Sequence, residues 1–178
     1  VSKYFDKYCN LSKNILTGKE TLGKYLEKRL HICTISAAYK RDLLIKNNLY
    51  FTEGCSSGED VEFILKTIFS ANKVFFVNDV LSYYLIREGS TTNSYSVKRF
   101  DAINAVSRAF EYIRNKSDEE SFSNKLLLFE NEYILRHFFN NFYSCFFYLL
   151  CQKGFNVKRT IEYIHSDLDH IFPNLLSM

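Results

Sequence analysis

The 178 residues suffice for one domain, or one small domain with an appendage, and an apolar share of 47% can build a core of ordinary size. A formal net charge of +3, with Lys and Arg scattered along the chain, is not the basic stripe of a nucleic-acid binder, so nucleic acid is excluded as an expected partner. Seventeen Phe and thirteen Tyr stand beside one Pro and six Gly, which points to long helices and against the turn-rich strands of a β-sandwich.

Residues 1–16 have weak periodicity and read as a strand or a loose lead-in. The sequence begins at Val1 with no secretory profile, and this start is expected to be an internal cut of a longer protein or to follow a removed tag. Thr17-Gly18-Lys19-Glu20 spells a capping box, with Thr17 at the N-cap and Glu20 reaching back. The helix it opens is expected to run to about Leu30, with Leu22, Tyr25 and Leu26 on one face. Residues 31–38 are small and apolar and read as a buried strand or a tight link. Residues 39–46 predict a short helix ending at Asn47 and Asn48.

Residues 51–58 form a loop marked by Gly54, Ser56, Ser57 and Gly58. A helix follows from Glu59 and Asp60, with Val61, Ile64, Leu65, Ile68 and Phe69 as its apolar stripe. Two short β signals come next, residues 73–77 and 80–86. Asn78 and Asp79 between them suggest an antiparallel hairpin. A polar loop over residues 87–94 marks the expected internal boundary.

Beyond it the chain reads as helix. Val97, Phe100, Ile103, Val106, Phe110 and Ile113 recur at helical spacing. A long helix is predicted over about residues 119–152, stopped by Gly154, and a last one over about 157–171. The most apolar window, residues 138–151, is interrupted by Asn140, Asn141 and Ser144. It falls short of the roughly 20 residues that a membrane span needs.

Cys9, Cys33, Cys55, Cys145 and Cys151 are odd in number and lack a Cys-x-x-Cys pair, so reduced thiols in a cytoplasmic protein are expected. His165 and Asp169 share a helix face, but two such residues fall short of a zinc site and read as a solvated face. The run Phe138, Phe139, Phe142, Tyr143, Phe146, Phe147, Tyr148 follows helical spacing and reads first as core or helix packing. A docking face for a membrane surface or a second copy is the other reading of this run.

The chemistry concentrates at residues 58–60. A Gly-containing loop delivers Glu59 and Asp60 to the first turn of a helix, where free N–H groups and the dipole hold a carboxylate in place. A general base needs that fixed geometry. Acidic residues also collect at helix starts merely because they stabilise the dipole, so the two carboxylates alone prove little. A second segment, Leu81 to Ser90, ends in Arg87, Gly89 and Ser90. An Arg fork suits phosphate oxygens, and a Gly lets backbone approach a ligand closely.

In order and spacing these segments resemble the second half of family 2 glycosyltransferases, over about residues 17–95. The resemblance is carried by Thr17-Gly18-Lys19-Glu20 and by Tyr39-Lys40-Arg41-Asp42-Leu43-Leu44. It continues through Phe51 to Gly54, Gly58-Glu59-Asp60, Ala71 to Val74 and Leu81 to Ser90. The resemblance implies a mostly helical α+β chain. Residues 1–95 would form the acceptor-side half of a GT-A-like domain, and residues 96–178 a helical region. It also implies an inverting transferase that moves a sugar from a nucleotide-sugar, UDP-linked as is common in the family, to a glycan acceptor hydroxyl in surface polysaccharide synthesis. By the same match Asp60 would be the catalytic base with Glu59 supporting it. Arg87 and Ser90 would lie near the donor diphosphate, with Tyr84 packed beneath them.

Such enzymes carry a nucleotide-binding βαβ unit and a metal-binding Asp-x-Asp before this region. This chain has neither ahead of residue 17, and Asp167-Leu168-Asp169 lies in the terminal helix pattern. A divalent Mg or Mn is therefore expected in the full-length enzyme with ligands outside this chain, and the fragment alone is expected to be inactive. Its expected place is the cytoplasm, peripheral to the inner face of the membrane. The rival expectation is a helical interaction or membrane-docking module without chemistry.

Overall fold

A computed structural model describes residues 15–77, 79, 81, 95–117 and 120–171 of the protein. In chain order these form β1 (Ile15–Leu16), α1 (Gly18–Leu26), α2 (Arg41–Asn47), α3 (Glu59–Ser70), β2 (Val74–Phe75), α4 (Asp101–Lys116), α5 (Glu120–Lys153) and α6 (Val157–Ile171). Two 3-10 turns, Thr34–Ser36 and Val97–Phe100, interrupt the connections. The class is the one expected, mostly helical α+β with a two-stranded antiparallel sheet.

The capping box at Thr17 forms as the sequence predicts. The Glu20 N–H donates to Thr17 Oγ1 at 3.2 Å, and the Thr17 N–H donates to Glu20 Oε2 at 2.8 Å. The helix ends sooner than expected, at Leu26 and not Leu30. Lys28 turns left-handed (φ 58°), and the N–H groups of Arg29 and Leu30 both close back onto the Lys24 carbonyl. This turn costs about 1–2 kcal/mol for a residue with a Cβ. It lets the chain leave the helix and bury Leu30, so tertiary packing overrides the local helical signal. The 31–38 stretch is a link, half-buried to exposed, and carries no strand.

Two apolar cores organise the helices. The first gathers Leu22 of α1, Ile64, Leu65 and Ile68 of α3, Val106, Ala109, Phe110 and Ile113 of α4, and Leu126 of α5. The second gathers Val97, Phe100 and Ile103, then Cys145 and Leu149 of α5, and Ile164 and Leu168 of α6. All six of the apolar residues predicted from Val97 to Ile113 are buried. Burying each side chain of this size contributes about 1.5–3 kcal/mol, which makes α4 the central stave.

The β signal at residues 73–77 gives the short strand β2, and the expected hairpin partner lies mostly outside the described residues. β2 lies antiparallel to β1, with Ile15 opposite Phe75 and Leu16 opposite Val74. Of the other expected strand, residues 80–86, only Leu81 is described. Gly154 (φ 66°) ends α5 as predicted. The four described cysteines, Cys33, Cys55, Cys145 and Cys151, are free thiols. Among the described residues no helix is long and apolar enough to cross a membrane.

Candidate active site

The start of α3 is held against the start of α4 at two points. Gly58 has φ 81°, and a Cβ built on it would lie 2.7 Å from the Ala102 Cα and 2.9 Å from its Cβ. Only glycine supplies both the left-handed turn and the close approach. Two residues earlier, the Ser56 N–H donates to Asp101 Oδ2 at 2.8 Å. The Glu62 N–H then donates to the Gly58 carbonyl at 2.9 Å and begins the helical ladder.

Glu62 anchors the same corner from beneath. Its side chain is 3% exposed, and it accepts from Arg108 Nη2 at 2.7 Å and from Arg108 Nε at 3.1 Å. Lys66 donates to it one turn further along α3, and Thr52 Oγ1 donates at 3.0 Å from the loop. Burial alone pushes the Glu62 carboxyl up. Arg108 and Lys66 outweigh that and hold it below the ordinary glutamate range. Arg108 Nη2 also lies 3.3 Å from Cys55 Sγ, while burial pushes that thiol up. The carboxylate thus ties loop, α3 and α4 into one unit.

Asp60 stands one residue inside α3, exposed, with Oδ1 accepting from the Val61 N–H at 2.8 Å. Glu59, half-buried, precedes it. Three tyrosines feel the Asp60 charge. Tyr25 is pushed up to about 12, first by burial and then by Asp60, Cys33 and Tyr39. Burial raises Tyr39 as well, followed by Cys33 and Asp60. Burial also raises Tyr133, with Tyr25 and Asp60 adding to it. All three phenols therefore stay protonated donors at neutral pH.

Aromatic packing fixes the rings of Tyr39 and Tyr133. Tyr39 meets Phe63 edge-on at 5.2 Å, and Phe63 is stacked on Phe51 at 4.5 Å. Tyr133 stacks on His137 at 4.1 Å, and burial lowers the His137 pKa. An ion pair between Lys28 and Glu132, 2.6 Å, ties the end of α1 to the same stretch of α5.

Glu59 and Asp60 are thus together at the helix start, as the sequence predicts. Arg87, Ser90 and Tyr84 lie outside the described residues. Among the described residues no group of three or more His, Cys, Asp or Glu side chains could hold a metal ion. His165 Nδ1 and Asp169 Oδ2 pair at 2.8 Å on an open face of α6. The aromatic run of α5 divides: Phe138, Phe142, Phe146 and Tyr148 pack on the second core, while Phe139, Tyr143 and Phe147 are more than half exposed.

Sequence reasoning missed Glu62, Arg108 and Thr52, because a buried charge is spelled like a solvated one. The Lys66 spacing, four residues on, was the one available signal. It also passed over Tyr25, Tyr39 and Tyr133 as site residues.

No family model and no solved structure matches the chain. Among curated proteins it is similar to the poly(ribitol-phosphate) beta-N-acetylglucosaminyltransferase TarS of Staphylococcus aureus strain MW2, at 32% identity over 101 residues. The same protein from strain Mu50 / ATCC 700699 matches at the same identity and length. The match takes in 56% of this chain and only 17% of the relative. The chain is therefore related to a glycosyltransferase over rather more than half its length, and it spans about a sixth of that enzyme.

Proposed function

We propose that this chain is the acceptor-side part of an inverting, family 2 glycosyltransferase of GT-A type, with Asp60 as its general base. The observation that carries the reading is the solvent-open carboxylate of Asp60, which accepts from the Val61 N–H at the start of a helix that Gly58 and Glu62 hold against α4. The similarity to a glycosyltransferase supports it.

In the proposed reaction Asp60 takes the proton from an acceptor hydroxyl. The freed oxygen bonds to the anomeric carbon of the donor sugar from the face opposite its leaving group. The bond from that carbon to the phosphate oxygen breaks, and the nucleoside diphosphate leaves with the electron pair. A base of this kind contributes about 10²–10⁴-fold in rate. Glu59 supports the Asp60 end of the helix. Arg87 and Ser90 are proposed at the donor diphosphate with Tyr84 beneath. A divalent metal is proposed to sit on residues outside this chain.

The test uses the full-length protein with a panel of UDP-linked sugars. Poly(ribitol phosphate), the polymer in the relative's name, serves as first acceptor, and UDP release is measured. Asp60→Asn, close to isosteric, is expected to abolish transfer while leaving the melting temperature unchanged. Retained turnover in that variant would remove Asp60 from the base role.

One observation favours a second reading. The exposed row Leu135, Phe139, Tyr143 and Phe147 on α5 suits docking to a membrane surface. Flotation with anionic liposomes that is lost in a Phe139→Ser, Phe147→Ser variant would support it.

A further inference from the structure

A base acts only where its helix puts it. Asp60 Oδ1 accepts from the N–H of its own neighbour, Val61, so the carboxylate travels with the first turn of α3. A displacement of about 1 Å at a reacting group can cost roughly 10²-fold in rate. Whatever fixes that turn therefore governs how well Asp60 meets an acceptor hydroxyl.

The four residues before α3 are each met by a partner. Cys55 Sγ lies 3.3 Å from Arg108 Nη2 and donates to the Ser57 carbonyl at 3.4 Å. Burial, then the Asp101 carboxylate, raises that thiol, so it stays a donor at neutral pH. The Ser56 N–H donates to Asp101 Oδ2 at 2.8 Å, and Gly58 closes on Ala102. Asp101, Ala102 and Arg108 all belong to α4, whose Val106, Ala109, Phe110 and Ile113 are buried in the first core. The loop is thus gripped from a rigid base.

The three contacts from α4 do different things. Gly58 against Ala102 sets how near the two helices come. Arg108 gives its fork mainly to Glu62, through Nε and Nη2. The Asp101 bond reaches the main chain of the loop itself. It is charge-assisted and directional, and it fixes a peptide plane four residues before Asp60. Asp101 also opens α4, where a negative charge is favoured by the free N–H groups and the dipole.

We infer that Asp101 is a positioning residue for the transfer: bonded to the Ser56 N–H, it sets the loop that delivers Asp60 to the acceptor hydroxyl. The inference rests on the reading of Asp60 as base, and the proton transfer remains with Asp60. The two tasks open to Asp101 make separate demands. The bond to Ser56 needs an oxygen at one place, while the start of α4 needs a charge.

Two substitutions separate these demands. Asp101→Asn keeps an oxygen at the same reach and loses the charge. Asp101→Glu keeps the charge and carries the oxygens one methylene further. The full-length protein is assayed with poly(ribitol phosphate) as acceptor and the UDP-sugar that gives turnover. In Asp101→Asn the kcat is expected to stay within about threefold of the parent, because a neutral acceptor still holds Ser56. In Asp101→Glu and Asp101→Ala it is expected to fall roughly ten- to a hundredfold, with the donor KM within about twofold. Should Asp101→Ala fail to fold, the Asn and Glu variants decide between them. A role confined to the helix end predicts the reverse order, so Asp101→Asn impaired as much as Asp101→Glu, or more, overturns the inference. If Asp60→Asn abolishes transfer while Asp101→Glu keeps the parent kcat, the inference is also overturned and the base reading stands. If Asp60→Asn retains turnover, the base reading falls and takes this role with it.

Discussion

Gly58 and Ala102 are in contact so close that a single added carbon, 2.7 Å from the Ala102 Cα, cannot be placed between them. The helix that begins with Glu59 and Asp60 is thereby fixed by a residue more than forty positions later in the chain.

Gly58→Ala is consequently expected to cost about 2–5 kcal/mol, from the left-handed backbone and the overlap with α4 together. Thermal unfolding measures the loss. Transfer in the full-length protein should fall further than stability alone explains, because the shift displaces Asp60. The opposite change, Gly54→Ala, meets no neighbour within 4 Å and should cost only the strain of its φ of 76°.

Removing the Glu62 charge should be costly without touching the chemistry directly. Glu62→Gln leaves Arg108 and Lys66 without their counter-charge. A loss of about 3 kcal/mol is expected, at the low end for a buried pair because Arg108 is 34% exposed to water. Chemical denaturation of parent and variant checks the value.

The same carboxylate sets an acid limit. Its folded-state pKa is held below the ordinary glutamate value by Arg108 and Lys66, against burial that acts the other way. The stability it contributes is thus fully present above the unfolded glutamate pKa and is lost as pH falls through the lower, folded one. A melting-temperature series from pH 7 to pH 3 should show this fall in the parent, and a shallower one in Glu62→Gln.

The division of the α5 aromatic run also has a measurable form. Leu149→Ala, 3% exposed in the parent, should cost about 2–5 kcal/mol. Phe139→Ser and Phe147→Ser, each more than half exposed, should stay within about 0.5 kcal/mol. Equal losses at all three positions would place the whole run in the core.

What could be read in advance follows the range of the forces involved. The α4 stripe was legible because a 3.6-residue period alone decides which of Val97 to Ile113 turn inward. The Thr17 cap and the Gly58 break were legible because their chemistry is complete within four residues. The partner of β2 was not, since pairing Ile15 with Phe75 is a meeting of distant segments that no local pattern encodes. Glu62 was hidden for the same reason, its counter-charge Arg108 lying 46 residues away. Asp60 could be singled out from its neighbours in sequence, while the tyrosines that its charge helps to raise come from α1, the following link and α5.

The helix α5 has a mechanical meaning beyond the packing it provides. Its 34 residues make a rod of about 50 Å, wedged at one end in the first core and at the other in the second. Tyr133, against the first core, and Leu149, in the second, sit on it roughly 24 Å apart. A helix resists compression along its axis, so α5 holds the two cores at a fixed separation along its length.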